Sequence, residues 1–195
     1  MGKVFYIFGK SASGKDSIFQ RLLEDLSLGL RGVTMYTTRP MRLHEQEGVE
    51  YHFISEQHLS EFREQGRIIE ERTYQTMHGP WTYATIDDGQ IDLRTGDYLM
   101  TGVLESYLST KRYFGADWVV PLYIEVEDGE RLRRALERER KQACPRYSEL
   151  CRRFLADETD FAEERLHMAG VEKRYQNENL AVCLTEIRQE ILSGK

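Results

Sequence analysis

The chain has 195 residues, with 27 Lys+Arg against 33 Asp+Glu and a formal net charge of −6 at pH 7. This length suits one domain with a real hydrophobic core, and the acidic balance argues against a general nucleic-acid surface, so an anionic ligand must be held by local arginine clusters. Cys144, Cys151 and Cys183 form no C-x-x-C pair, and no apolar run reaches the length of a secretory core or a membrane span, which leads to the expectation of free thiols in a cytoplasmic protein that enters no membrane.

The first element is an apolar run of strand length, Val4 to Phe8, followed by Gly9-Lys10-Ser11-Ala12-Ser13-Gly14-Lys15-Asp16-Ser17. Phe19, Leu22, Leu23 and Leu26 then recur at helical spacing, which predicts strand, glycine-rich turn and helix in succession. This order suits a nucleotide's phosphates. The glycines let successive N–H groups point at an anion, the helix N-terminus adds positive partial charge, and Lys15 reaches the β- and γ-oxygens. Phosphate loops normally close on Gly-Lys followed by a Ser or Thr that binds Mg2+, whereas here Asp16 takes that place and Ser17 comes one later. Both are metal candidates, Asp16 as a hard oxygen ligand that also brings negative charge beside the phosphates.

Further strands are predicted at Val33 to Thr37, Tyr98 to Val103 and Trp118 to Val126, with helical segments between or after them, the alternation of an α/β parallel sheet. Between Thr38 and Asp92 the texture turns polar, with short strand-like pieces at Tyr51 to Ile54 and Arg67 to Ile69 and a helix from Glu56 to Gln65, which reads as an inserted substrate lobe. In that stretch Tyr74, Trp81 and Tyr83 suit either a stacked base or a small local core. From Asp128 to Asp157 charge dominates at helical spacing, broken at Cys144-Pro145, so two helices joined by a turn are expected. Arg134 and Arg138 share one helix face, interleaved with Glu137 and Glu139, and such a face is either a cationic lid or simply solvated. Val171 to Tyr175 would be a short edge strand, and Leu180, Leu184, Ile187 and Ile191 form the stripe of a C-terminal helix. The five histidines show no zinc-site spacing, and no G-x-S-x-G nucleophile elbow occurs.

The segment Tyr36 to Phe53, YTTRPMRLHEQEGVEYHF, resembles the guanylate kinase family, whose monophosphate lobe carries T-T-R-x-x-R and then G-E-x-x-G-x-x-Y-x-F. Thr37, Thr38, Arg39, Arg42, Glu45, Gly48, Tyr51 and Phe53 match, and His44 replaces one glycine. The chemistry agrees, since a dianionic acceptor phosphate suits guanidinium forks and a hydroxyl, here Arg39, Arg42 and Tyr51. The resemblance implies a P-loop kinase fold: a parallel sheet core flanked by helices (about 1–37, 92–127 and 159–195), an inserted monophosphate-binding lobe (about 38–91) and an arginine-rich lid (about 128–158), together one domain over residues 1–195. It implies ATP as donor with Mg2+, GMP as the first-choice acceptor, and phosphoryl transfer to give GDP.

By the same resemblance Lys15, Arg42, Arg134, Arg138 and Arg153 act on the transferring group, while Arg131, Arg140 and Arg152 are left at the surface. Glu70 would accept from the guanine edge, although its neighbour Glu71 competes for the inward position. His78 stands where the family has Tyr, followed by Gly79 and by Pro80, which has neither hydroxyl nor N–H. Met35 replaces a base-contacting serine, and the family's D-x-D is absent from the strand Leu99 to Val103, leaving Glu105 as the nearest substitute. Asn177 in QNENL is either an adenine contact or a plain turn or cap. The G-K-D-S ending of the loop resembles ribose 1,5-bisphosphate kinases, which keeps a sugar-phosphate acceptor as an alternative. A non-catalytic guanylate kinase-like protein-binding module is the other, although Lys15 and the lid arginines are retained.

Overall fold

The computed structural model describes residues 1–76 and 79–194, so the sequence-predicted His78 lies outside the described residues. In chain order the elements are β1 (Val4–Phe8), α1 (Lys15–Glu24), β2 (Leu30–Gly32), β3 (Tyr36–Thr37), β4 (His52–Phe53), α2 (Glu56–Glu64), β5 (Ile68–Thr76) and β6 (Gly79–Ile86). They continue with β7 (Asp97–Gly102), α3 (Leu104–Phe114), β8 (Val119–Glu125), α4 (Asp128–Arg140), α5 (Tyr147–Asp160), α6 (Glu163–Met168), β9 (Arg174–Gln176) and α7 (Leu180–Ser193).

Five strands form a parallel sheet in the order β2-β7-β1-β8-β9. Its centre, β1, is buried at every position: Val4, Tyr6 and Phe8 enter one apolar cluster and Phe5 and Ile7 the other. This two-residue alternation fills both faces of a strand covered by helices on each side. On one face Leu104 and Tyr107 of α3 and Leu166 of α6 pack on the sheet, and on the other Ile18 and Leu22 of α1 meet Cys183, Ile187 and Ile191 of α7. The α/β fold with a helix-flanked parallel core is therefore as expected.

The strand expected from Val33 to Thr37 is instead two pieces in different sheets. Leu30–Gly32 pairs with β7 in the core, and Tyr36–Thr37 pairs with β4 and β6 in a second sheet, ordered β4-β3-β6-β5. That second sheet has its own small core of Leu59, Phe62, Ala84 and Ile86, capped by α2, whose N-terminal Ser55 accepts from the His58 N–H. In the same sheet Tyr83 meets Tyr51 and Tyr74 edge-on, at centroid distances of 5.5 and 5.9 Å. The break at Cys144-Pro145 separates α4 from α5, and the polar stretch near residue 174 forms an edge strand, β9, on the core sheet. No helix among the described residues is long and apolar enough to cross a membrane, and the three cysteines are free, Cys183 being buried.

Candidate active site

The loop from β1 to α1 is held in a conformation that its glycines make accessible. Gly14 has φ 86°, and a Cβ there would lie 2.4 Å from the Asn177 amide nitrogen; a Cβ on Gly9 would lie 2.4 Å from the Ile124 carbonyl oxygen. Ala12 also sits in the left-handed region at φ 62°, a local cost of about 1–3 kcal/mol that persists only where the surroundings enforce it. The enforcement comes from Asn177. Its backbone N–H donates to the Glu125 carbonyl at 2.8 Å, and its buried side-chain amide donates to the Ser13 carbonyl at 2.8 Å. The sequence leaves an adenine contact or a plain turn or cap open for Asn177; in the structure its side chain has a further role, clamping the loop through the Ser13 carbonyl.

No side chain caps the N-terminus of α1, so its first amides and positive dipole end remain available to an anion. Lys15 begins the helix, and its Nζ lies 3.5 Å from Asp16 Oδ1. Asp16 and Ser17 are both exposed in the first turn. Lys10, by contrast, is tied to the far side of the cleft, donating to Glu158 at 2.8 Å and to Asp128 at 3.5 Å.

The expectation of a surface Arg131 is wrong: only 1% of its side chain is exposed. Its guanidinium donates to Asp128 at 2.6 Å, Asp157 at 3.1 Å, Glu158 at 3.2 Å and the Ser11 carbonyl at 3.2 Å, and it lies 4.7 Å from the centroid of the Phe154 ring. Asp157 in turn accepts from the Ser11 N–H at 2.8 Å. One buried arginine thus joins the phosphate loop, α4 and α5. The available signal was Ala135: it is buried one turn beyond Arg131, whereas Leu132 is exposed, so the inward face of this charged helix runs through 131 and 135.

The three sequence-predicted lid arginines have separate surroundings. Arg134 bonds Glu130 at 2.7 Å and donates to the Asn177 carbonyl at 2.9 Å, beside the loop clamp. Arg138 and Arg153 line a groove between α4 and α5 together with Ser11, Arg146 and Phe154, and Arg153 bonds Glu149 at 2.7 Å.

In the second sheet Arg39 is buried and forms a two-pronged pair with Glu45, at 2.8 and 2.7 Å, with its guanidinium 5.6 Å from the Tyr51 ring and 5.5 Å from the Phe53 ring. This hydrogen bonding holds the Glu45 carboxyl down at about 2 and raises Arg39. Glu45 also accepts from the Arg42 N–H at 2.8 Å, which fixes the turn. The Arg42 guanidinium itself is exposed and has no ion-pair or hydrogen-bond partner among the described residues. Burial raises the Tyr51 phenol.

A bulge in β5 between Ile68 and Glu70 turns both Ile69 and Glu70 inward. Glu70 is 4% exposed, whereas Glu71 faces Arg63 at 2.9 Å near the surface, so the inward carboxylate is Glu70. Glu70 accepts from Thr85 at 3.0 Å and from Arg72 Nε at 3.1 Å. Burial raises the Glu70 carboxyl, opposed chiefly by the Arg72 charge. Arg72, absent from the sequence-based set, lies two residues on along the same strand face, and its Nη2 lies 4.0 Å from Met35 Sδ. Glu105 lies elsewhere, in the first turn of α3, paired with Arg165 at 3.0 Å. Arg152, on α5, is raised by its hydrogen bonds to Glu149, at 2.8 and 2.9 Å.

Residues 1–88 match the family model described as guanylate kinase. A guanylate kinase from Porphyromonas gingivalis is 26% identical over 194 residues, spanning 98% of this chain and 97% of the relative. One from Malacoplasma penetrans is 29% identical over 193 residues, spanning 95% and 86%. The crystal structure of guanylate kinase from Anaplasma phagocytophilum superposes with a TM-score of 0.68 at 16% identity, over 98% of this chain and 85% of that one, a likeness of fold. The model match over the phosphate loop and monophosphate motif, and the similarity running end to end, make the chain similar to guanylate kinases over nearly its whole length.

Proposed function

We propose that the protein transfers the γ-phosphoryl group of ATP to GMP, giving ADP and GDP. The observation that carries this reading is the presence in one chain of two anion-binding elements of different design. One is a loop of open amides locked by Asn177. The other is a turn in which Glu45 holds Arg39 in place while the Arg42 guanidinium stays unpartnered among the described residues. Similarity to enzymes named guanylate kinases supports the same acceptor.

In this reading the loop amides and Lys15 hold the β- and γ-phosphates, and Arg39, Arg42 and Tyr51 orient the acceptor phosphate within the lobe formed around the second sheet. A GMP phosphate oxygen attacks the γ-phosphorus in line. The new O–P bond forms as the bridge to the β-phosphate breaks, and the electron pair leaves on ADP. The acceptor is already ionised at neutral pH, its second pKa being about 6, so no base is needed. Arg134, Arg138 and Arg153 neutralise charge on the equatorial oxygens once the lid segment closes. Asn177 positions the loop, so its influence on the donor is indirect.

Asp16 and Ser17 suit Mg2+ that arrives with ATP. They offer one exposed carboxylate and one hydroxyl in the first turn of α1, enough for an ion that keeps its waters and phosphate oxygens. Among the described residues no cluster of three His, Cys, Asp or Glu builds a cage. When bound, the ion supplies further charge neutralisation at the phosphates. The setting is the cytoplasm.

The test is an ADP-release assay offering GMP, dGMP, AMP and ribose 1,5-bisphosphate with ATP. Turnover of GMP ahead of the others is expected. Turnover of the sugar phosphate alone, or no ATP binding by calorimetry, overturns the reading.

A further inference from the structure

Arg72 stands beside the carboxylate assigned to the acceptor base, yet it belongs to neither anion-binding element. Two facts set it apart from a structural ion pair. Its guanidinium engages Glu70 through Nε at 3.1 Å and Nη2 at 3.5 Å, while Nη1 has no hydrogen-bond partner among the described residues. Nη2 also lies 4.0 Å from the Met35 thioether, a weak acceptor that does not satisfy a guanidinium, and the Tyr6 and Tyr74 phenols are near enough to interact with its charge. A donor is therefore left free next to an acceptor-only group at the inner end of the lobe.

We infer that Arg72 is a specificity-determining residue that reads the 6-oxo edge of the acceptor purine; this rests on the assignment of GMP as acceptor. Guanine presents N1–H and N2–H donors beside the O6 acceptor, with N7 a further acceptor. Glu70 takes the donors. Each carboxylate oxygen has two lone-pair sites: Oε2 carries only the Arg72 Nε bond and keeps one free, while Oε1 accepts from Thr85 at 3.0 Å and from Arg72 Nη2 at 3.5 Å, a long bond that a base N–H can displace. Arg72 Nη1 donates to O6, part of the pairing of guanidinium with guanine that also serves in nucleic-acid recognition. Adenine inverts both positions: its N6 amino group would face a donor and its N1 lone pair would face a carboxylate. Discrimination then comes from two mismatches in a buried site, where unpaired polar groups are costly. The Thr85 hydroxyl proton is already given to Glu70, and the Met35 and Pro80 side chains carry no hydroxyl to replace Arg72 in this task.

Removing the charge outright would leave Glu70 buried and unpaired and risks unfolding, so the decisive variant is Arg72→Lys. It keeps a cation against Glu70 but loses the planar fork. Arg72→Gln, with Glu70→Gln added to remove the unpaired charge, serves as the second. Parent and variants are assayed with GMP, IMP and AMP at saturating ATP, alongside melting curves. The expected result for Arg72→Lys is a parent-like melting curve, a GMP KM raised about tenfold, kcat within about threefold, and a GMP-over-AMP preference reduced at least tenfold. The double variant should lose most of the preference. An unchanged GMP KM and an unchanged GMP-over-AMP ratio in Arg72→Lys would overturn the inference while leaving the kinase reading intact. A parent enzyme that phosphorylates none of these nucleotides would overturn both.

Discussion

Replacing Arg131 by methionine should destabilise the whole fold, although the residue lies in a charged helix far along the sequence from the phosphate loop. The side chain is 1% exposed, and that of its partner Asp157 is 11% exposed, so this pair is effectively buried. The pairs with Asp128 and Glu158 involve carboxylates 47% and 45% exposed, worth no more than about 1 kcal/mol each after screening. Breaking a buried pair from one side costs about 3–5 kcal/mol. Asp157 keeps the Ser11 N–H as a donor, which places the loss near the lower end, about 3 kcal/mol. For a domain of this size that is roughly 6–12 °C in melting temperature. Thermal unfolding by circular dichroism reads it directly. Because the same guanidinium holds the Ser11 carbonyl, ATP KM should rise as well. Converting Asp157 to leucine in the Arg131→Met background should recover more than half of the stability, since an apolar pair carries no unpaired charge. A melting temperature within about 2 °C of the parent in Arg131→Met would refute the argument that this arginine ties α4 and α5 to the loop.

Gly14→Ala should raise the ATP dissociation constant at least tenfold by calorimetry, because its Cβ meets the Asn177 amide at 2.4 Å and φ stays positive; unchanged affinity would show that the clamp is not needed. Glu45, held at about 2 in the fold against about 4.3 when unfolded, contributes stability that is complete above pH 5 and lost as the pH falls toward 2. The gap in melting temperature between parent and Glu45→Gln should therefore be constant above pH 5, narrow as the pH falls and close toward about pH 2; a gap independent of pH would contradict it.

The core was legible in the sequence where pattern and environment coincide. A five-residue apolar run such as Val4 to Phe8 has one stable place, the centre of a parallel sheet, and the glycine spacing after it admits few alternatives. The run Val33 to Thr37 misled because apolar character does not say which sheet a strand joins: the chain leaves the core at Gly32 and enters the second sheet at Tyr36. Arg131 and Arg72 were missed for a related reason. A charged side chain reads as solvated until its partners are known, and here the partners, Asp157 and Glu70, come from another helix and from a bulged strand. The choice between Glu70 and Glu71 needed the bulge as well, since without it the strand alternation places only one of Ile69 and Glu70 inside.

The central claim is that the loop at Lys15 and the turn at Arg42 grip the two substrates of one transfer at the same time. Calorimetric titration with a bisubstrate ligand, adenosine and guanosine joined through five phosphates, tests this directly. One ligand per chain should bind about 100-fold or more tightly than either ATP or GMP alone, as expected when both halves engage together. Lys15→Ala and Arg42→Ala should each weaken it at least tenfold. Binding no tighter than ATP, or indifferent to Arg42→Ala in a folded variant, would contradict the account.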